Sequence, residues 1–341
     1  MKIGLVFLLI SVLPLFGWMA SHEVDFQKPK GWPEPHYNFR RNQLSNENIQ
    51  LGRALFYDPI LSRNQTISCA SCHLSYTAFT HVDHNLSHGI EDRIGNRNAP
   101  ALMNLAWGKS FMWDGSVNHL DMQALAPISN PLEMDEKIEN VVVKLKNSTL
   151  YPTLFTKAFG DSAITGERTL KAISQFLLTL VSANSKYDSV MRNESKFTDQ
   201  EKVGYALFQK NCNSCHAEPL FTNNGFENNG LPLDSNLKDF GRMNVSRKSV
   251  DSLKFKVPTL RNIEFSFPYM NDGRFKKLKH VLNHYTSGIQ KGPGLSSHLK
   301  KPIVLSPDEK ADLTAFLLTL SDKNFLFDQK HSFPKQILSN N

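Results

Sequence analysis

Cysteine is scarce in this sequence. Only four cysteines occur among 341 residues, and all four lie in two Cys-x-x-Cys pairs that are each followed directly by histidine. No thiol therefore remains for any other purpose, and the N-terminal segment has none that could carry a lipid.

A strong charge imbalance is also missing. The formal net charge is +7, and Lys and Arg are expected to be scattered without forming a stripe, so a nucleic-acid partner is not indicated.

No sustained alternation of apolar and polar residues argues for a sheet. Capping boxes at Thr198–Glu201 and Ser306–Glu309 instead precede apolar positions at helical spacing. The sequence predicts an all-α globular protein.

A single apolar run, IGLVFLLISVLPLFGWMA, follows Lys2. It is too short and too interrupted by proline to be a confident membrane span, and it resembles a secretory signal. We therefore predict that residues 1–22 are a signal peptide and that the mature protein is exported. The Ala20–Ser21 junction lacks a small residue three places before the cut, so an uncleaved membrane anchor is the alternative.

The two cysteine pairs stand in SCASCH, at Ser68–His73, and in CNSCH, at Cys212–His216. A Cys-x-x-Cys pair alone could be a zinc half-site or a redox pair. Two thiols at this spacing can also add to the vinyl groups of one haem, while the adjacent imidazole ligates the iron. Because both pairs carry that histidine, we predict two covalent haems c, held by Cys69, Cys72 and His73 and by Cys212, Cys215 and His216.

An internal duplication relates these two motifs. Four pairs of segments recur in the same order: GRALF and GYALF, NAPALMN and VPTLRN, MWDG and MNDG, and FLLTL twice. The chain is also long enough for two cores. We predict two tandem cytochrome c-like domains, 23–192 and 193–341, with their haems at a shared interface and the C-terminal segment packed back on the first.

Three of the aligned positions at which the two halves differ bear on function. Trp113 is aligned with Asn271, Gln123 with Val281, and Pro127 with Tyr285. A polar Gln in the first half suggests an open, wet haem face, whereas the second haem is expected to be closed by a side-chain ligand. An open iron can bind a small oxidant, while a closed one passes electrons.

The order of motifs resembles a known family over about Leu51 to Leu320, namely the bacterial di-haem cytochrome c peroxidases with the related methylamine-utilisation di-haem enzymes. The resemblance rests on LFYDPILS, SCASCH, SHG, NRNAP, FMWDG, QALAPISNPLEM, CNSCH, FKVPTLRN, FPYMNDG and FLLTL. It implies a periplasmic enzyme that often forms a homodimer.

The resemblance also implies roles at the first haem. His73 and His216 resemble the proximal ligands, and His88 resembles the distal histidine, which spacing alone could not distinguish from His81, His84 and His119. Gln123 and Glu133 resemble the distal pair, in which a carboxylate moves a peroxide proton and an amide holds the oxidant. Without the resemblance, Glu133 would be interpreted as a surface charge in a proline-rich loop.

Two further expectations concern the interface. Trp113 resembles the indole between the haems, where we expect an electron relay, with packing as the alternative. Asn98, Ser266 and Pro268 resemble an interhaem Ca²⁺ site built from one side-chain amide and two backbone carbonyls.

The axial ligand of the second haem departs from the standard pattern. Tyr285 occupies the position of the usual methionine, as it does in the methylamine-utilisation enzymes. A phenolate favours higher oxidation states than a thioether does. Met270 and His284 lie near enough in the sequence to be alternative ligands.

These residues predict a cytochrome c peroxidase that reduces hydrogen peroxide with electrons from a small cytochrome c or a copper protein. The alternative is a methylamine-utilisation-type oxidase that oxidises aromatic residues of a partner protein. A plain electron-transfer cytochrome is disfavoured by Gln123 and Glu133.

Overall fold

The computed structural model describes residues 23–292 and 294–339. The expected signal peptide, 1–22, lies outside these ranges. Within them, no helix has both the length and the apolar character that a membrane crossing requires.

The first half is built around two crossing helices, α1 and α6. The α-helices of this half are α1 (Asn46–Tyr57), α2 (Cys69–Cys72), α3 (Leu125–Ser129), α4 (Ile138–Asn147), α5 (Tyr151–Phe159) and α6 (Gly166–Leu178). Ser45 and Thr165 cap the two crossing helices through their side-chain oxygens. A Cβ on Gly52 would lie 1.9 Å from the Ala172 carbonyl oxygen, so α1 can approach α6 this closely only with glycine there.

The second half repeats this crossing with α8 and α11. The helices that follow α6 are α7 (Lys186–Met191), which precedes the expected division at residues 192 and 193, and α8 (Asp199–Asn211), α9 (Met243–Ser246), α10 (Leu278–Asn283) and α11 (Pro307–Leu318). Both predicted capping boxes, at Thr198 and Ser306, are confirmed. A Cβ on Gly204 would lie 2.0 Å from the Asp312 carbonyl oxygen, which makes Gly204 the counterpart of Gly52.

The other repeated motifs also occupy equivalent positions. Asn104 and Asn262 both have left-handed backbones, with φ of 57° and 55°. Their N–H groups donate to the last carbonyls of the two FLLTL segments, at Leu180 (2.8 Å) and Leu320 (3.0 Å). The predicted duplication is therefore confirmed as a structural one.

The all-α prediction misses one small sheet. Strands β1 (Phe226–Glu227) and β2 (Phe255–Lys256) pair antiparallel, with Phe226 opposite Lys256. Two-residue strands are too short to show an alternating pattern. Short 3₁₀ turns cover Phe39–Arg41, Pro59–Leu61, Ser75–Thr77, Ile90–Asp92, Leu105–Trp107, Leu120–Met122, Ser249–Asp251, Ser297–Leu299 and Gln329–His331.

Each half has its own aromatic-rich core. Phe56, Phe79 and Phe176 pack in the first, and Phe208, Phe221 and Phe316 in the second. Tyr187 of α7 is buried in the second core. After α11, the chain returns to the first core through α12 (Lys323–Leu326) and α13 (Lys335–Leu338). Arg53 of α1 donates to the Ser332 carbonyl at 2.8 Å.

Candidate active site

The two motif histidines share one hydrogen-bond pattern. His73 Nδ1 lies 2.6 Å from the Phe79 carbonyl oxygen, and His216 Nδ1 lies 3.2 Å from that of Phe221 and 3.1 Å from that of Pro258. Because a carbonyl can only accept, Nδ1 carries the proton and Nε2 keeps a lone pair for a metal. Burial lowers the pKa of His216 and lowers the pKa of His73 to about 4, so both rings are neutral near pH 7.

A cavity of about 320 Å³ lies between the two halves. The second half contributes the complete attachment motif Cys212, Cys215 and His216, together with Tyr285 and an apolar wall. The first half contributes Asn98, Trp113 and Gln123. A mostly apolar cavity with two thiols and a neutral imidazole in its wall fits a covalent haem.

Trp113 is fixed at this interface by two backbone contacts. Its Nε1 donates to the Asn98 carbonyl at 2.9 Å, and its own carbonyl accepts from Lys256 N at 2.7 Å. Asn98 N in turn donates to the Asn271 carbonyl at 2.7 Å. Ser266 and Pro268 also line this cavity, while the Asn98 side-chain amide donates to the Asn85 carbonyl at 2.9 Å.

Glu133 lies beside the first attachment motif. Burial raises its pKa, while a 3.0 Å hydrogen bond from Asn130 Nδ2 partly opposes the rise. Burial, and then the nearby Glu133 carboxylate, raise the pKa of Cys72 to about 11. A Cβ on Gly89 would lie 2.5 Å from the Glu133 carbonyl oxygen, so the SHG motif needs glycine to pack against this loop.

The SHG loop brings His88 to the same motif. Cys72 Sγ lies 3.3 Å from the His88 carbonyl oxygen, and His88 Nδ1 lies 2.8 Å from Asp92 Oδ1. His81, His84 and His88 form a stack with ring centroids 5.0 and 4.0 Å apart. His119 instead accepts from Asp121 N at 3.2 Å and packs near Tyr37.

Gln123 occupies a different wall from Glu133. Its side chain lines the interdomain cavity, with Nε2 3.8 Å from Met112 Sδ. The structure therefore places the two members of the expected distal pair in separate surroundings, one at the cavity and one beside Cys72.

Asn229 organises the ligand candidates of the second half, and the sequence analysis missed it. Its Nδ2 lies 3.5 Å from both Tyr285 Oη and Met270 Sδ, and its carbonyl oxygen lies 3.0 Å from His284 Nε2. That contact occupies His284, while Tyr285 and Met270 remain on the cavity wall. Burial raises the pKa of Tyr285.

The backbone around Tyr285 widens to allow this arrangement. α10 continues into a π-helical turn at His284–Gly288. Such turns are rare and are found frequently at functional sites.

Two other groups near the cavity were also missed. Lys256 is half-buried beside Trp113, and desolvation of its ammonium group lowers its pKa to about 8. Glu227 and His298 place a carboxylate oxygen and a ring nitrogen within 4.8 Å of Cys215 Sγ. Nothing in a single sequence shows that these polar residues come together near the cavity.

Comparisons with known proteins identify the family. The family profile described as di-haem cytochrome c peroxidase matches residues 46–196, and a cytochrome c profile matches residues 202–321. The chain is 37% identical over 314 residues to methylamine utilization protein MauG of Methylorubrum extorquens, covering 89% of this chain and 85% of that protein. This chain belongs to the di-haem cytochrome c peroxidase family.

Other members of the family are similarly close. Cytochrome c551 peroxidase of Nitrosomonas europaea is 34% identical over 278 residues, covering 80% of this chain and 79% of that protein. The crystal structure of a MauG-like protein associated with microbial copper homeostasis has a TM-score of 0.81 at 31% identity, covering 91% of this chain and 99% of that one. The predicted family is confirmed. So are the prediction of two tandem domains and the prediction that the protein is an oxidoreductase of the peroxidase class.

Proposed function

We propose that this protein reduces hydrogen peroxide to water, consuming two electrons and two protons for each peroxide. A small cytochrome c or copper protein supplies the electrons to the second domain, and they pass to the first. The observation that carries this assignment is Glu133, a carboxylate with a raised pKa beside Cys72. The register that aligns Pro127 with Tyr285 aligns Glu133 with Lys291, so only the first domain has this acid.

Each domain is proposed to hold one covalent haem c, whose iron supplies a peroxide site in the first domain and an electron store in the second. His73 and His216 are suited to ligate through Nε2, because carbonyl oxygens already hold their Nδ1–H groups. Mass spectrometry of the exported protein should find two haem additions. One addition or none would contradict the proposal.

At the first domain, we assign the proton transfer to Glu133. Its carboxylate takes a proton from one peroxide oxygen and returns it to the other as the bond between them breaks. Gln123 can donate an amide hydrogen bond at the cavity wall, and His88 is assigned as the distal residue of the resting state. Trp113 is assigned as the relay, because its indole borders the cavity into which both domains contribute residues.

At the second domain, we assign Tyr285 as the axial ligand, with Met270 as its competitor. The phenol lies on the cavity wall with the attachment motif, and Asn229 Nδ2 is placed to donate to a phenolate oxygen. An anionic hard ligand would hold this haem at a low reduction potential.

Other parts of the assignment rest on the family and on composition. Asn98, Ser266 and Pro268 are proposed to hold one Ca²⁺, since amide and carbonyl oxygens suit a hard cation. The division at residues 192 and 193, a periplasmic location, an N-terminal signal or anchor and a homodimer stay predictions.

A second candidate is oxidation of a partner protein's aromatic residues. It is favoured by Tyr285 and by the identity to MauG. A steady-state assay with peroxide and a reduced donor separates the two. Rapid turnover supports the peroxidase, whereas a long-lived oxidised spectrum without turnover supports the alternative. A protein that reacts with no peroxide at all would contradict both.

A further inference from the structure

The positive charge of this chain is concentrated in one segment. Residues 273–307 contain seven Lys and Arg and no Asp or Glu. This excess equals the formal net charge of +7, so the remaining residues are balanced. The expectation that basic residues form no stripe is wrong for this segment.

The same segment forms one wall of the interdomain cavity. Leu278 and Leu282 of α10 line it, as do Leu299 and Ile303 further along the chain. Lysines alternate with these lining residues in sequence and are exposed. We define the basic rim as Lys276, Lys277, Lys279, Lys300 and Lys301.

The charge of the basic rim is not compensated. In residues 23–292 and 294–339, none of its lysines forms an ion pair, whereas Arg274 is paired with Asp272. The next acidic residue along the chain is Asp308, at the start of α11. Unpaired ammonium groups on a low-dielectric wall produce a strong local positive potential.

The basic rim borders a short path from solvent to the second attachment motif. His298 is exposed, and a nitrogen of its ring lies within 4.8 Å of Cys215 Sγ, with Glu227 as the acidic group beside them. Lys300 and Lys301 come two and three residues after His298. Val304, 83% exposed, adds an apolar contact of the kind found at the centre of protein interfaces.

We propose that the basic rim is the docking surface for the electron donor, and that the donor is a small redox protein with an acidic face. The inference rests on the proposed function and narrows its partner. Opposite charges would steer the donor to the exposed side of the second attachment motif, whose residues would hold the second haem. A donor with a ring of lysines around its own redox centre would be repelled there.

The test is a binding titration of the holoprotein. The probes are reduced plastocyanin, an acidic copper protein, and reduced mitochondrial cytochrome c, a basic one, at ionic strengths of about 10 and 200 mM. We expect plastocyanin to bind more tightly than cytochrome c. The Kd for plastocyanin should rise about tenfold or more between the lower and the higher ionic strength.

Charge-reversal variants locate the surface. The double variant Lys300→Glu/Lys301→Glu should raise the Kd for plastocyanin about tenfold or more. The matched control Lys146→Glu/Lys157→Glu makes the same change in charge at exposed positions of α4 and α5 in the first domain. It should change the Kd for plastocyanin less than about threefold. Equal weakening by both variants, or tighter binding of cytochrome c, would overturn the inference.

Failure of the proposed function would be seen separately. Peroxide turnover with hydroquinone, a small neutral reductant, requires no protein docking. Its absence would count against the peroxidase assignment alone, because the binding titration contains no peroxide.

Discussion

At the scale of single residues, the two domains share one way of presenting a ligand and differ in what surrounds it. His73 and His216 are each held by a backbone carbonyl. The first motif is accompanied by the carboxylate of Glu133, and the second by a phenol, a thioether and the Asn229 amide. This asymmetry gives two domains of one ancestry different chemistry.

Glu133→Gln should lower peroxide turnover about a hundredfold or more, a common loss when a general acid-base group is removed. Because burial raises the pKa of Glu133, its reactive carboxylate is lost as the pH falls through that raised value. The acidic limb of kcat/KM should therefore lie above the usual carboxyl range and disappear in the variant. Glu139→Gln, an exposed neighbour, is the control, and an unchanged profile in Glu133→Gln would move the proton transfer elsewhere.

Tyr285→Met should raise the reduction potential of the second haem, because a neutral soft ligand favours ferrous iron. Spectroelectrochemistry of wild type and variant measures the shift. Tyr285→Phe is the matched control, since it keeps the ring and removes only the oxygen. Identical potentials and ferric spectra in all three proteins would show that Tyr285 is not a ligand, and Met270→Leu would then be tested.

At the scale of elements, the close helix crossings depend on glycine. Gly52→Ala and Gly204→Ala would each drive a Cβ into a backbone carbonyl that cannot move without separating two helices. We expect each to lower the free energy of unfolding by about 1 to 3 kcal/mol or more. Urea unfolding measures this. Gly292→Ala, where a Cβ would meet nothing within 4 Å, should leave it nearly unchanged.

At the scale of the whole molecule, a buried arginine joins distant parts of the chain. Arg261 has no exposed side-chain surface, forms a bidentate pair with Asp188 of α7 at 2.8 and 2.9 Å, and lies 4.6 Å from the Trp32 ring centroid. It therefore connects the N-terminal segment, α7 and the VPTLRN motif. Removing its partner leaves a buried charge with weaker compensation.

Asp188→Asn should lower the free energy of unfolding by about 3 to 5 kcal/mol at pH 7. Although burial opposes its charged form, the hydrogen bonds and charge of Arg261 lower the pKa of Asp188. The stabilisation is therefore present above the ordinary carboxyl pKa and is lost as the pH falls through the lowered value. Urea unfolding should be measured at pH 7 and at a pH below the lowered pKa of Asp188. The difference in unfolding free energy between wild type and variant should be smaller at the acidic pH. The control is Glu194→Gln, which breaks the exposed pair with Arg192 and should lower the free energy of unfolding far less. An equal loss in the two variants would contradict the buried-pair argument.

The sequence by itself determined the features whose physics is local. The two attachment motifs depend on covalent spacing, the capping boxes on side chains three residues apart, and the duplication on order along the chain. It also contained the segment 273–307, which has basic but no acidic residues. The net charge of the whole chain does not show this local excess. The family followed from the order of motifs.

Tertiary structure alone decided what those motifs face. Asn229 reaches Met270 and Tyr285 across more than forty residues of chain, and Trp113 is fixed by contacts to Asn98 and Lys256. The burial that raises the pKa of Glu133 and lowers that of Lys256 is likewise a property of the packed molecule. Desolvation depends on which distant segments cover a side chain, and that information is not carried by its neighbours in the sequence.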